Sequence, residues 1–503
     1  MEHFALISVF YKEGIDRLAE ALLKKGLKLL STGGTFDYLK AKGFDVVRVE
    51  DLTRYPESPG GRVKTLHPVI FSGILARRDN EEDLNFLREH NIPLIDFVVV
   101  NLYPFEEKTA LPLDELLEFI DIGGVSLIRA AAKNFKWVTL ICDPEDYDRI
   151  AELLENGEIG EEERKFLALK GFEKVLMHDS HIYKVLSERF QKSEDIRVFL
   201  FRKHSELRYG ENPHQRGYVY FNLFDGRSFL KNIELLSGIE LSYNNILDAH
   251  SAWNLVLEFE KPACAIVKHN VPCGAGLGDN LLEAYDKALK GDEMSAYGGI
   301  VAFNGVMDED VANALNEFFF EVIVAEGYSE GALEILKKKK KRRVIKAKKE
   351  KGFNWDYRFV DFDLLVQERD LKDLKPGELK VVSGKLDDKY IPDIVFGDKV
   401  IKYVRSNAIV VVKNEMLLGS GGGQTSRVDA TRIALEKAGE RAKGAVLVSD
   451  GFFPFTDSLE LAHKKGITVV VEPGGSVRDE EVIKRAQELG LTLVFTGIRR
   501  FRH

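Results

Sequence analysis

Several short segments of this chain bring together residue types able to grip an anion or to move a proton. Lys268 and His269 follow the β-branched run Ala263 to Val267 and precede Pro272-Cys273-Gly274-Ala275-Gly276, read here as a turn. Open α/β sheets bind ligands beyond the ends of such buried strands. A lysine placed there can donate a proton or stabilise charge, and histidine has the side-chain pKa nearest neutrality. Neighbouring strand residues point to opposite faces, so both groups reach one site only if the backbone leaves strand geometry at that point.

Ser31-Thr32-Gly33-Gly34-Thr35 lies between a predicted strand and a predicted helix, where backbone N–H groups and the helix dipole can hold an anion; a plain tight turn is the alternative. It lacks the Gly-Lys-Ser/Thr of a P-loop, and no GxGxxG occurs, which points to a phosphomonoester. Gly60-Gly61-Arg62-Val63-Lys64-Thr65-Leu66-His67-Pro68 sets two cations and a hydroxyl beside a glycine pair, a density suited to an anionic ligand. Asp121-Ile122-Gly123-Gly124, followed by the helix-spaced Arg129 and Lys133, adds a carboxylate; a capped helix with surface charges reads equally well. Gly419 to Arg427 offers a second glycine-rich turn before a helix, with an arginine for a carboxylate or phosphate. Ser449-Asp450-Gly451-Phe452-Phe453-Pro454-Phe455 places three aromatics beyond another strand, as a wall for a heterocycle or as core packing.

The elements carrying these segments follow from apolar periodicity. Phe4 to Val9 reads as a strand, and Ile15, Leu18, Ala19, Leu22 and Leu23 as one face of a helix. Leu27 to Leu30, a short helix at Phe36 and Leu39, and Val46 to Val49 continue the alternation. This βαβαβ start predicts a mostly parallel sheet. Strands are expected at Phe97 to Val100 and Val138 to Ile141, and a helical stretch from Ala151 to Gln191, with Phe166, Leu169, Phe172 and Leu176 on one stripe, closes the first domain. The charged segment from Lys192 to Leu207 marks a boundary, giving domains 1–197 and 198–503. In the second, Ala263 to Val267, Ala445 to Ser449, Ile467 to Val471 and Leu491 to Phe495 read as strands of two α/β modules, divided near 360–375, without a strict repeat. The basic run Lys337 to Arg343, extended by Lys346, Lys348, Lys349 and Lys351, reads as a solvated helix end rather than a nucleic-acid patch.

Composition narrows the class. With 503 residues, a net charge of -9 and 45% apolar residues, the chain is a folded, soluble protein of about three domains whose charge does not suit a nucleic-acid binder. Cys142, Cys264 and Cys273 lie in separate segments without a CxxC pair, giving no disulfide framework or structural zinc site and fitting a reducing compartment. The start MEHFALISVFYKEG is unlike a signal peptide, and no run approaches the ~20 apolar residues of a membrane span. A cytoplasmic location is expected.

The segments GGRVKTLHP, NLYPF, DIGG with RAAAKN, LRYGENPHQ, VKH with PCG, RSNA, GGGQTSR, DGFFPF and the terminal RRFRH occur together and in order. Over essentially the whole chain this sequence resembles the bifunctional purine-biosynthesis family that combines phosphoribosylaminoimidazolecarboxamide (AICAR) formyltransferase with inosine monophosphate (IMP) cyclohydrolase. The resemblance implies an α/β fold with a methylglyoxal-synthase-like parallel N-terminal domain and a larger C-terminal region of two cytidine-deaminase-like modules. It implies formyl transfer from the co-substrate 10-formyltetrahydrofolate to the amine of AICAR, followed by dehydrative ring closure to IMP, with no metal, nucleic acid or membrane partner. Ser31, Gly33, Gly34, Thr35, Arg62, Lys64 and Thr65 would hold the nucleotide for ring closure, and Tyr103, Asp121 and Lys133 would line the reacting centre with Lys64. For transfer, His269 would be the base, Lys268 the acid or charge stabiliser, and Asn407 the group polarising the formyl oxygen, with His503 close by. Arg208 and Arg499 would grip the phosphate, and Tyr209, His214, Asn245, Ser426, Arg427, Phe453 and Asp457 would surround nucleotide or folate. A homodimer with formyltransferase sites across the subunit interface is also implied. One departure is the segment Ser8-Val9-Phe10-Tyr11-Lys12, where a Ser-Asp pair is usual.

Two rival readings differ in class. A zinc nucleoside deaminase needs His-x-Glu and Pro-Cys-x-x-Cys. Here His269 is followed by Asn270-Val271, and Cys273 by Gly-Ala-Gly. Alternatively the N-terminal domain only binds nucleotide in a regulatory role, against which stand Lys64, Tyr103, Asp121 and Lys133.

Overall fold

The N-terminal apolar runs fold as their periodicity dictates. In a computed structural model, which describes residues 1–56, 63, 65–192, 196–224, 228–350 and 354–503, Phe4 to Val9 lie in β1 (His3–Val9). Ile15, Leu18, Ala19 and Leu22 form the buried face of α1 (Ile15–Lys24). The alternation continues through β2 (Lys28–Ser31), α2 (Gly33–Ala41), β3 (Val46–Arg48), β4 (Leu94–Asn101), α3 (Gly123–Lys133), β5 (Thr139–Ile141) and α4 (Glu161–Arg189). The sheet order is β3-β2-β1-β4-β5 and every pairing is parallel. Parallel strands are covered on both faces, and two apolar clusters accordingly lie on this sheet, one around Ile7, Leu29 and Val99, the other around Leu6, Val98 and Leu140.

The stripe Phe166, Leu169, Phe172 and Leu176 faces the other way from a core stripe. Leu169 is 71% exposed, while Leu167, Ala168, Gly171 and Val175 form the buried face of α4. The reason is steric: a Cβ on Gly171 would stand 2.3 Å from Leu140, so the small-residue face, not the bulky one, packs against β5.

The chain forms two units, Met1–Leu200 and Phe201–His503. Within the second, one set of elements is β6 (Ile233–Ser237), α5 (Tyr243–Val256), β7 (Ala263–Lys268), β8 (Val271–Leu277), α6 (Leu281–Gly291), β9 (Ile300–Met307), β10 (Val322–Tyr328) and β11 (Arg343–Ala347). The other is β12 (Lys380–Ser383), α7 (Ile391–Ile401), β13 (Ile409–Val412), β14 (Leu417–Gly421), α8 (Arg427–Ala438), β15 (Val446–Ser449), β16 (Val469–Glu472) and β17 (Thr492–Phe495). Their sheets run β8-β7-β9-β10-β11-β6 and β14-β13-β15-β16-β17-β12. Parallel and antiparallel pairings fall at the same places in both. The two modules therefore share one topology, although no sequence period displays it. Their edges meet where Leu277 N–H donates to the Glu415 carbonyl at 3.0 Å and Ser420 Oγ to that of Pro272 at 3.1 Å. One apolar cluster, including Trp253, Ile394, Val410 and Val471, spans both modules.

Two glycine-rich segments read as turns are largely strand. Pro272 to Gly276 lies within β8, and Gly419 to Gly421 within β14. A Cβ on Gly274 would stand 2.1 Å from the Ala288 carbonyl oxygen of α6, and one on Gly421 2.1 Å from that of Ala430 in α8. The glycines permit close strand–helix approach in both modules. The basic run also divides: Lys337 to Lys341 are exposed, but Arg342 and Arg343 are buried. Arg342 caps the helix Glu309–Asn316 by donating to Asn316 Oδ1 at 2.6 Å and to the Leu315 and Phe318 carbonyls. Among the described residues, no helix is long and apolar enough to cross a membrane.

Candidate functional site

In the first unit, the ends of β1, β2 and β4 and the start of α3 surround a cavity of about 740 Å³. Gly34, Thr35, Thr65, Tyr103 and Asp121 line it, as do Lys12 and Asn101. Asp121 caps α3, its Oδ1 accepting the Gly124 N–H at 2.6 Å, while its own N–H donates to His178 Nε2 at 3.4 Å. A Cβ on Gly124 would collide with this carboxylate at 2.5 Å, so the glycine lets acid and helix start meet. Burial, and secondarily the charge of Asp121, pushes the Tyr103 phenol up, keeping it a proton donor. Burial pushes His178 down, although Asp121 pulls it the other way.

The glycine-rich turn contributes unevenly. Ser31 is fully buried and donates to the Ile7 carbonyl at 2.7 Å, stapling β2 to β1. Gly33 opens α2 at φ 51°, and the space beside Gly34 is open. The Thr35 hydroxyl donates to the Val9 carbonyl at 2.9 Å and accepts the Val9 N–H at 3.1 Å. Lys133 ends the helix that Gly123 begins, roughly 15 Å further along at 1.5 Å per residue, and is exposed. The structure does not bring it to the cavity. Arg62 and Lys64 lie outside the described residues.

In the second unit, His269 and Asn270 form the two-residue turn between β7 and β8, at φ 56° and 60°. Left-handed backbone costs roughly 1–2 kcal/mol per non-glycine residue. A carboxylate from α5 offsets it: Asp248 accepts the His269 N–H at 3.0 Å and the Asn270 N–H at 2.7 Å, one on each oxygen. The break in strand alternation thus falls at His269 itself, not at Pro272 or Gly274. Lys268 Nζ donates to the Tyr297 carbonyl at 2.9 Å, and His269 is exposed. Glu321, within electrostatic reach of Asp248, accepts from Asn245 Nδ2 at 3.1 Å and lies 3.8 Å from Arg343. Arg343 is pushed down by burial; Glu321 opposes this, Arg208 adds to it and Tyr209 opposes it, so all four lie within electrostatic reach. Arg208 lies over the Tyr209 ring at 5.4 Å. His214 is exposed in the loop closed by the Gly210 N–H to Gln215 carbonyl bond.

A second polar set occupies the other module. Arg427, buried at the start of α8, is ion-paired with Asp450 and donates to Ser449 Oγ and to Asn407 Oδ1, each at 2.9 Å. Asn407 Nδ2 donates to the Gln424 carbonyl at 3.0 Å, leaving its second hydrogen for another acceptor. Phe501 lies beneath the Arg427 and Arg499 guanidiniums and 6.1 Å from His503, which brings both terminal residues to this set. Ser426 caps α8 through the Asp429 N–H, and exposed Asp457 accepts the Ser458 N–H. Phe453 is core, 1% exposed, whereas Phe452 and Phe455 face outward. Its N–H donates to Glu472 Oε2 at 2.6 Å, and burial pushes that carboxyl up to about 8. Among the described residues, no hydrogen bond or ion pair joins the His269 set to the Asn407 set, and no group of three or more His, Cys, Asp or Glu could hold a metal ion.

A family model described as the AICARFT/IMPCHase bienzyme matches residues 131–437, and one for the MGS-like domain matches 14–126. The bifunctional purine biosynthesis protein PurH of Clostridium botulinum (strain Hall) is 48% identical over 503 residues, 99% of either chain. The chain belongs to the AICARFT/IMPCHase bienzyme family. That of Persephonella marina is 48% identical over 513 residues, again with 99% coverage of both. The crystal structure of ForH overlaps 37% of this chain and 100% of its own, at 36% identity and a TM-score of 0.34. As a member of the bienzyme family, the protein is an AICAR formyltransferase and IMP cyclohydrolase of purine biosynthesis.

Sequence reasoning missed several groups that the bienzyme fold places at these sites. Asn101 ends β4 and holds the β1–α1 loop: its Oδ1 accepts the Phe10 and Tyr11 N–H groups at 2.6 and 3.0 Å, and its Nδ2 donates to the Tyr11 carbonyl at 2.9 Å. The signal was a polar residue closing the apolar run Phe97 to Val100. Lys12 is a cavity cation held by the Phe10 carbonyl at 3.1 Å. The departing Tyr11 has its own partner, Glu107 at 2.9 Å, and burial with this bond pushes its phenol up to about 12. Asp248, Glu321 and Arg343 gave no signal, because their partners are distant in sequence.

Proposed function

We propose that the two activities divide between the two units, ring closure in Met1–Leu200 and formyl transfer in Phe201–His503. The observation carrying this is chemical. Ring closure joins two groups of one molecule, and the first unit offers a cavity lined by a carboxylate and a phenol that burial keeps protonated. As the carboxamide nitrogen of formyl-AICAR attacks the formyl carbon, Asp121 takes the nitrogen's proton. Tyr103 gives its proton to the oxygen that receives the C=O electron pair; the resulting hydroxyl then takes the proton held by Asp121 and leaves as water, while the former formamide N–H gives its proton to the Tyr103 phenolate as the ring C=N forms, which restores both groups. Positioning within one cavity supplies much of the rate. Gly34, Thr35, Thr65 and Lys12 face the nucleotide, and Arg62 and Lys64 belong to the segment that precedes Thr65 in sequence.

Formyl transfer joins two substrates and needs two sets of groups. The AICAR amine attacks the formyl carbon of 10-formyltetrahydrofolate, His269 takes its proton, and the tetrahedral oxyanion lies between Lys268 and the second Nδ2 hydrogen of Asn407. The folate nitrogen leaves with a proton returned from His269. Arg208, Tyr209 and Arg343 form the anionic-ligand side, and Arg499, His503, Phe452 and Phe455 the other. We read the modules as cytidine-deaminase-like and the protein as a homodimer in which a second copy completes each transfer site. The exposed stripe Phe166, Leu169, Phe172 and Leu176, together with the placing of the two polar sets on different modules, supports that reading. Incubating the purified chain with AICAR and 10-formyltetrahydrofolate should consume the folate and yield IMP. Formylated nucleotide building up without IMP would contradict the assignment of ring closure to the first unit.

A further inference from the structure

The two modules of the second unit carry the same turn built from different residues. In the first, His269 and Asn270 stand at φ 56° and 60°; in the second, Asn414 and Glu415 stand at φ 53° and 54° between β13 and β14. In each, one carboxylate from the preceding helix takes both turn N–H groups, one per oxygen. Asp248 does so at 3.0 and 2.7 Å, and Asp393 of α7 at 3.0 and 2.6 Å. The residue before each turn is a lysine whose Nζ donates to a backbone carbonyl just ahead of the next strand, Lys268 to Tyr297 at 2.9 Å and Lys413 to Lys443 at 2.8 Å. Burial pushes both aspartates above the usual carboxylate range, against the pull of the two N–H groups.

What differs is the content and the setting of the turn. Glu415 is ion-paired with Lys261 at 2.9 Å, and its carbonyl accepts the Leu277 N–H, so the second turn is spent on joining the sheets. The first turn presents an exposed imidazole, and its clamp Asp248 lies within electrostatic reach of Glu321, the carboxylate that Asn245 and Arg343 contact. One clamp, used twice by the fold, has in one copy acquired a side chain able to move protons. A two-residue turn at φ > 0 suits asparagine and glycine better than histidine. The carboxylate therefore decides where the imidazole stands, because it fixes both peptide units that flank the His269 side chain.

We propose that Asp248 is the positioning residue of formyl transfer: it acts through the backbone of the His269–Asn270 turn, holding the imidazole in place without touching substrate, while Asp393 is its purely structural twin. The inference rests on the reading of His269 as the base. It is tested in the full-length chain with a cycle of Asp248→Asn, His269→Ala and the double variant, with Asp393→Asn as the internal control. Asparagine keeps one acceptor oxygen and loses the second, so only half the clamp survives. Asp248→Asn should lower kcat for formyl transfer on the order of 100-fold, as a small misplacement of a reacting group does, with the KM for AICAR little changed. Asp393→Asn, which weakens the same device elsewhere, should keep kcat while losing thermal stability to a similar degree. In the His269→Ala background, Asp248→Asn should cost nothing more, since its effect passes through the missing imidazole.

Independent, multiplying losses in the double variant would overturn the inference, as would an equal fall in kcat for Asp393→Asn or wild-type turnover by Asp248→Asn. Wild-type turnover by His269→Ala would instead overturn the reading of the base on which it stands. If Asp248→Asn alone does not fold, its combination with Asn270→Gly, which relieves one left-handed residue, takes its place in the same cycle.

Discussion

Tyr103, Asp121 and Thr35 line one cavity of the first unit, whereas His269 and Asn407 belong to different modules of the second. Both regions place their polar groups at strand ends beside helix starts, and both rely on a carboxylate that accepts backbone N–H groups. They differ in the elements that carry those groups, adjacent strand ends of one sheet in the first unit and two modules in the second. A reaction within one molecule needs a single pocket, and the first unit forms one from adjacent strand ends. A reaction between nucleotide and folate needs two surfaces, and a duplicated module provides two related edges.

The sharpest way to break this comparison is to remove the carboxylate of the first unit's cavity. Asp121→Asn should lower ring closure of formyl-AICAR on the order of 10³-fold while formyl transfer is retained, measured by supplying each substrate separately. Loss of both in a folded variant would show that the units do not act apart. Next in size is Arg427→Ala, which strands Asp450 in the interior and should destabilise the second unit by about 3–5 kcal/mol in denaturant titration.

Glu472 sharpens the comparison through pH. Its folded pKa of about 8 lies above the ordinary glutamate value of 4.5, so the folded state holds the proton more tightly than the unfolded chain. Its favourable share is fully present below pH 4.5 and is lost as pH rises toward 8. Glu472→Gln should therefore flatten this dependence and raise stability at pH 9 on the order of 2 kcal/mol, visible as a higher thermal midpoint. An unchanged midpoint at pH 9 would show that burial does not raise the Glu472 carboxyl in the fold. Smallest is Asn101→Ala, which frees the Phe10–Tyr11 segment. It should cost about 1–2 kcal/mol and raise the KM for ring closure with little change in formyl transfer.

The strands of the first unit and their parallel arrangement, four strands of the second and the existence of two modules were legible, because apolar periodicity reports on burial directly. The duplication was not, since it lies in pairing direction and in the clamps from Asp248 and Asp393 rather than in residue identity. Glycine misled twice: Gly274 and Gly421 look like turn formers, but each lets a helix backbone approach a strand. The stripe on α4 misled as well, because periodicity marks a helix without saying which face is inward. Among the site residues, Asp121, Tyr103 and Thr35 do converge in the structure, as expected from their segments. Lys133 does not, since a helix-spaced cation can sit at either end. Phe453 proves to be core, and outward-facing Phe452 and Phe455 are its neighbours in the same segment.

The division of labour is tested most directly by assaying full-length His269→Ala for both reactions, with AICAR plus 10-formyltetrahydrofolate in one assay and pre-formylated nucleotide in the other. The folded variant should fail to consume the folate yet convert formyl-AICAR to IMP at the wild-type rate. Formyl transfer persisting at that rate, or ring closure lost along with transfer, would contradict the assignment.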